Sequence, residues 1–243
     1  MRELRDFRPL QLYGVTQRGN QGQWFYRDNE AFAQAMDLTR LYAVRHRVRV
    51  HGWCLLHNHD HWIFEASLEE SISNLMRDMQ SRYSRHLNTK YKKKPWLLLG
   101  PLRGRRRRRN YSPYGRTGPV NWAPRFDVVF LDRAGFPSFL RYLEANPVEA
   151  GLVKRAARWR WSSARAHCAG TTADGLLCLD RWRHLFGRPE EAASAWGEYL
   201  DAPQVEREAN ARRLRAMRTG SAQNRSRKWV PPELAVTADS PPG

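Results

Sequence analysis

The chain has 243 residues, enough for one sizeable domain with appendages or a core with a small second unit, and its 42 Lys and Arg against 24 Asp and Glu leave a formal net charge of +18. Such a balance points to a polyanionic partner; a membrane span is excluded, because no apolar run approaches the roughly 20 residues one requires. The opening residues MRELRDFRPL lack the apolar stretch of a secretory signal, and Cys54, Cys168 and Cys178 are too few and scattered for a disulfide framework or paired-cysteine zinc, so a cytoplasmic protein is expected.

Residues 10–19 alternate apolar and polar side chains and read as a first strand, and the string QWFYR has strand-like chemistry after the intervening glycine turn. Asp28 is placed to cap a helix running to about His46, with Phe32, Ala35, Met36, Thr39 and Ala43 on one stripe. The string RVRVHGWCLLHNHDHWIFE reads as two strands or a long bent pair, with Gly52 or the Asn58 region as irregular points. Ser67 and Glu70 have the spacing of a capping box, and Ile72, Leu75, Met76, Met79, Tyr83 and Leu87 then predict a helix of about five turns. From about 90 to 120 the periodicity dissolves into a basic insertion. WAPRFDVVFL suggests a last strand, Pro137 suits the first turn of a helix, and Asn146 before Pro147 should end that helix. Beyond Gly151 come WRWSSARAH, a loop near His184, helical candidates around 190–200 and 205–218, and a polar tail from 219 to 243. The order β, α, β, β, α, β, α predicts an α+β fold, an antiparallel sheet with helices packed on it.

His57, His59 and His61 fall at alternate positions, so a two-residue period points all three imidazoles to one face, where two of them could share a metal ion. A lone strand histidine is ordinarily a satisfied polar residue; three in alternation beside Trp62 and Phe64 argue for a site. Far along the chain, Tyr142 and Asn146 are four apart and share a helix face. A tyrosine hydroxyl, with a reference pKa of about 10, becomes a plausible nucleophile where a metal-bound phosphate lies in line with it.

Several ordered pieces, VTQRGNQGQWFY, GWCLLHNHDHWIF, LMRDMQSRYSRHLN, RYLEANPVEAGLV and WRWSSARAH, span about residues 9 to 167. Together they resemble the REP-associated tyrosine transposases, within the wider HUH single-strand nucleases and transposases. The resemblance implies an HUH, ferredoxin-like core, with His59 and His61 after Asn58 as metal ligands and Asn146 completing the site. His57 becomes a neighbour or substrate contact, although the pair His57 and His59 has the same spacing. Two imidazoles and an amide oxygen leave open positions that suit Mg²⁺ or Mn²⁺. The resemblance further implies attack by Tyr142 on single-stranded or hairpin (REP-like) DNA, giving a 5′-phosphotyrosine link and a free 3′-hydroxyl, with no nucleotide cofactor. Asp60 departs from the family's pattern, which has a hydrophobic residue there; it is expected to be exposed, paired with an arginine, or a mark of a degenerate site.

Arg103 and the run Arg105, Arg106, Arg107, Arg108 and Arg109 are candidates to grip hairpin phosphates, with Gln80, Arg82 and Arg85 as weaker ones. The expected organisation is a catalytic domain over 1–168 containing the insertion, a helical C-terminal extension over 169–218, and a tail. A DNA-binding protein of the same fold that has lost cleavage is the main alternative. A structure-selective RNA-binding protein is another, but it gives no role to Tyr142, Asn146 and the histidine row together. HNH-nuclease chemistry does not apply, since the HNH string here is consecutive. Monomer and dimer are both open.

Overall fold

Alternation and amphipathic stripes of the kind just described produce, in a computed structural model, the elements β1 (Leu12–Arg18), α1 (Asn29–Arg45), β2 (Val48–Leu56), β3 (His59–Ala66), α2 (Ser71–Lys90), β4 (Asp127–Leu131), α3 (Gly135–Glu149), a 3-10 turn (Ala156–Arg158), α4 (Ala164–Ala169), α5 (Asp180–Phe186) and α6 (Pro189–Asp201). The structure describes residues 7–19, 24–91, 122, 126–172, 175–186 and 189–201. The arginine run at 103–109, the helical candidate at 205–218 and the tail lie outside the described residues. No helix among them is long and apolar enough to cross a membrane.

The four strands form one sheet in the order β2-β3-β1-β4, with every neighbouring pair antiparallel. With α1 and α2 in sequence between them, this is the split βαβ arrangement of ferredoxin-like α+β folds. Side-chain alternation then sorts the sheet into two faces. One carries Val15, Asp60, Trp62 and Phe64, and there the buried stripes of α1 (Phe32, Ala35, Met36, Thr39) and α2 (Ile72, Leu75, Met76, Met79, Tyr83) complete the core. The other carries Gly14, Thr16, Gly52, His61 and Ile63, and α3 lies on it. The approach of α3 is close enough to demand glycine: a Cβ on Gly14 would sit 2.6 Å from the Phe139 ring, and one on Gly52 2.6 Å from Leu140 Cδ1.

Asp28 caps α1 as its position predicts, accepting from the Ala31 N–H at 2.8 Å. The two irregular points of the central hairpin are both present, a register shift between Val50 and Gly52 and a turn at 57–58. Other expectations are corrected. Residues 24–27 form no strand; the Phe25 and Tyr26 N–H groups both donate to the His57 carbonyl, and the segment plugs the core instead of extending the sheet. The Ser67–Glu70 capping box does not form, because the Ser71 N–H closes a turn onto the Leu68 carbonyl and α2 starts one residue after Glu70 with no side-chain cap. Asn146 does not end α3. Pro147 lies within its last turn, where little helix remains to be disrupted, and Ala150, Gly151 and Leu152 close the end by donating to the carbonyls of Asn146, Val148 and Pro147. The loop expected near His184 is the helix α5, which begins at Asp180.

Residues 175–201 pack into the same core through Leu177, Trp182 and Trp196. Their strongest tie to α3 is polar. Glu144 is fully buried, and its carboxylate accepts from Ser163 Oγ, from His167 Nδ1 at 2.6 Å and from Trp196 Nε1 at 2.8 Å. Arg141, one turn earlier, donates Nε to the Tyr199 carbonyl at 2.7 Å and lies over that tyrosine's ring. Glu144→Ala would take the acceptor from the buried His167 Nδ1 and Trp196 Nε1, Ser163 Oγ keeping the Trp53 carbonyl, and we expect it to lower unfolding stability by about 3–5 kcal/mol. A urea-denaturation midpoint equal to that of the parent protein would show that these donors find other acceptors.

Candidate active site

His59 and His61 lie on β3 with their rings on the face that α3 covers, 5.1 Å apart between centroids and nearly perpendicular. The third histidine does not join them. His57 sits in the turn before β3, where it stacks on Trp24 at 4.4 Å, contacts the edge of Phe32, and bonds through Nδ1 to the Tyr26 carbonyl. The expectation that all three imidazoles share a face is therefore corrected, because strand alternation begins only at His59.

Each remaining imidazole has its Nδ1 committed. His59 Nδ1 donates to Asn58 Oδ1 at 2.7 Å, and His61 Nδ1 bonds Thr16 Oγ1 at 2.9 Å, across the β1–β3 register pair Thr16 and His61. That leaves a lone pair on His59 Nε2, and on His61 Nε2 in the tautomer whose Nδ1–H donates to Thr16. His61 is fully buried, and its Nε2 has no hydrogen-bond partner among the described residues. Burial, reinforced by the positive charge of Arg18, holds His59 down to about 4; burial, His59 and Arg18 push His61 well below the usual imidazole range. Both rings are consequently neutral near pH 7, the form that binds metal.

Tyr142 reaches this pair from α3. Its half-buried ring meets His61 edge-on, with centroids 5.2 Å apart and planes at 81°, and Phe139 supports it at 5.9 Å. Asn146 follows one turn later, and its Nδ2 donates to the Tyr142 carbonyl at 2.8 Å, leaving Oδ1 as the amide's acceptor. The fold thus brings the phenol from α3 to the imidazoles from β3, about 80 residues apart in sequence.

Asp60 is neither exposed nor paired with an arginine, contrary to two of the expectations for it. It is buried on the opposite face of β3, bonded by Tyr26 Oη and by Trp62 Nε1 at 2.7 Å, and burial raises its carboxyl to about 7. A short polar cluster occupies the place of an apolar residue without touching the histidine face. Arg82 and Arg85 are exposed on α2, in the helix layer behind the sheet as seen from Tyr142. Thr16 and Arg18 were not singled out by their sequence positions. Alternation along β1 puts them on one face, but only the strand pairing identifies that face as the one bearing His59 and His61.

Among the described residues, no group of three or more His, Cys, Asp or Glu side chains is arranged to hold a metal ion. The two neutral imidazoles offer one nitrogen each, that of His61 buried without a partner among the described residues, and Asn146, one turn beyond Tyr142 on α3, carries an amide oxygen. This is an incomplete set that a divalent ion would finish with phosphate oxygens or water, and in that sense the residues fit one.

Residues 24–99 match the family model for IS200-like transposases, a segment that includes both histidines and ends before Tyr142. Among solved structures, a REP-associated tyrosine transposase bound to a REP hairpin superposes with a TM-score of 0.52 at 15% identity, covering 74% of this chain and 90% of that one. A protein from Deinococcus radiodurans R1 assigned as a transposase matches at 12% identity and a TM-score of 0.37, covering 59% of this chain and 96% of its own, too low a score to bear on the fold. No curated protein matches. The chain therefore has the fold seen in a REP-associated tyrosine transposase, and within it a segment similar to the IS200-like transposases.

Proposed function

We propose that this protein is a metal-dependent single-strand DNA endonuclease and strand-transfer enzyme that cleaves hairpin DNA of the REP type through a covalent 5′-phosphotyrosine. The observation that carries the reading is the Tyr142 ring against His61, whose buried Nε2 has no partner among the described residues. A bound Mg²⁺ or Mn²⁺ would supply Lewis-acid polarisation of the scissile phosphate, with His59, His61 and Asn146 as its protein ligands. Tyr142 Oη attacks phosphorus and gives its proton to solvent, the P–O3′ bond breaks, and the departing O3′ takes a proton from solvent, so the upstream strand leaves with a 3′-hydroxyl. Attack by another 3′-hydroxyl on the phosphotyrosine reverses these bonds and returns the tyrosine. One phosphoester replaces another, so joining needs no nucleotide.

Covalent capture tests the reading. With Mn²⁺ and a pool of hairpin oligonucleotides, a 3′-end label should migrate with denatured protein while a 5′-end label appears on a shortened free strand. Label transfer of the opposite polarity, or none with any hairpin, would refute it. Asp60 offers no ground for a cleavage-deficient protein, since it is satisfied on the far side of the strand.

The residues Arg103 and Arg105–Arg109 lie outside the described residues, and their proposed role is to hold hairpin phosphates. Deleting residues 105–109 should weaken hairpin binding and flatten its dependence on salt by about 0.9 in logarithmic slope for each phosphate the run neutralises. An unchanged slope would make the run a bystander.

A further inference from the structure

Arg18 ends β1 directly opposite His59 in the antiparallel register, two residues beyond the Thr16 that bonds His61. Alternation places its side chain on the same face as Thr16, His59 and His61. The guanidinium is exposed, and no carboxylate among the described residues pairs with it. Asp127, the carboxylate on β4, stands across from Thr16.

A cation in this position would repel a divalent ion held by the two imidazoles. With such an ion bound, an anion between the two positive charges would offset that repulsion. A guanidinium presents a rigid fork of N–H donors matched to two oxygens of one phosphate. We propose that Arg18 is the phosphate-binding residue of the site, gripping the non-bridging oxygens of the phosphodiester that Tyr142 attacks; this rests on the nuclease reading above and names how its substrate is held. Tyr142 and Arg18 would then contact the same phosphate from α3 and β1, and negative charge accumulating on its oxygens during attack would meet a donor already in place.

The test uses the full-length protein and two probes that need no turnover, Mn²⁺ alone and oligo-dT in the presence of EDTA. Arg18→Ala should bind Mn²⁺ severalfold more tightly, because a repelling charge is gone, and oligo-dT about tenfold more weakly. Arg18→Lys should return Mn²⁺ affinity to the parent value while recovering only part of the oligo-dT affinity, since one ammonium cannot reproduce the fork. Opposite movements of the two affinities support the assignment. Two unchanged affinities would overturn it, and so would a fall in both, which would make Arg18 a prop for the histidines and not an anion ligand. Failure of the parent protein to form any covalent adduct would count against cleavage alone and leave the Arg18 result readable.

Discussion

Tyr142→Phe is expected to abolish the denaturant-resistant adduct between protein and hairpin DNA while leaving DNA affinity within about twofold of the parent. The variant removes only the hydroxyl. The ring that meets His61 edge-on and packs beside Phe139 is retained, so α3 keeps its seat on the sheet, held besides by the close approach to Gly14 and Gly52 and by the buried Glu144 cluster. Loss of one partly buried hydroxyl costs on the order of 1 kcal/mol, too little to unfold the domain and explain lost chemistry that way. The measurement is a denaturing gel with 3′-labelled hairpin and Mn²⁺, read beside a binding titration on the same preparation. An adduct that persists in the phenylalanine variant would place the nucleophile elsewhere. Loss of binding together with the adduct would make Tyr142 a substrate contact instead.

Much of this fold is legible in local patterns. The α1 stripe with its Asp28 cap, the apolar spacing of α2 and the alternation in β1 and β3 depend on residues within a few positions of one another, and those elements form where periodicity puts them. The misreadings have non-local causes. His57 continues the histidine alternation in sequence, but the chain turns there, and its ring is claimed by Trp24 and the Tyr26 carbonyl. Asp60 looks like a defect until Tyr26, 34 residues away, supplies its hydroxyl. The Ser67–Glu70 spacing fits a capping box, yet the turn onto Leu68 takes the position the box would need. Tyr142 and Asn146 are legible as a helical pair; that their helix crosses the histidine face depends on two glycines whose missing side chains admit Phe139 and Leu140. Thr16 and Arg18 are invisible from sequence for a related reason, since their meaning comes from a strand register that no spacing reveals.

The second large effect is expected at the histidines, and it separates residues that sequence alone treats alike. His61→Ala and His59→Ala should each weaken Mn²⁺ binding by more than the 10–100-fold typical of losing an outer-shell partner, and each should remove metal-dependent cleavage. With Nδ1 of His61 bonded to Thr16 and Nδ1 of His59 to Asn58, Nε2 is the nitrogen that each ring would offer a metal ion. His61→Ala carries a structural cost as well, since it opens a cavity beside Tyr142 and frees the Thr16 hydroxyl from its bond; comparing its thermal midpoint with that of His59→Ala separates that cost from metal loss. His57→Ala is the control. It should lower stability by about 1–2 kcal/mol through removal of the Trp24 stack and the Tyr26 carbonyl bond, while Mn²⁺ affinity and cleavage stay close to parental values. Isothermal titration with Mn²⁺ across the three variants decides the matter. If His57→Ala lost more metal affinity than His61→Ala, the ligand pair would be His57 and His59, and the contact between His61 and Tyr142 would be packing alone.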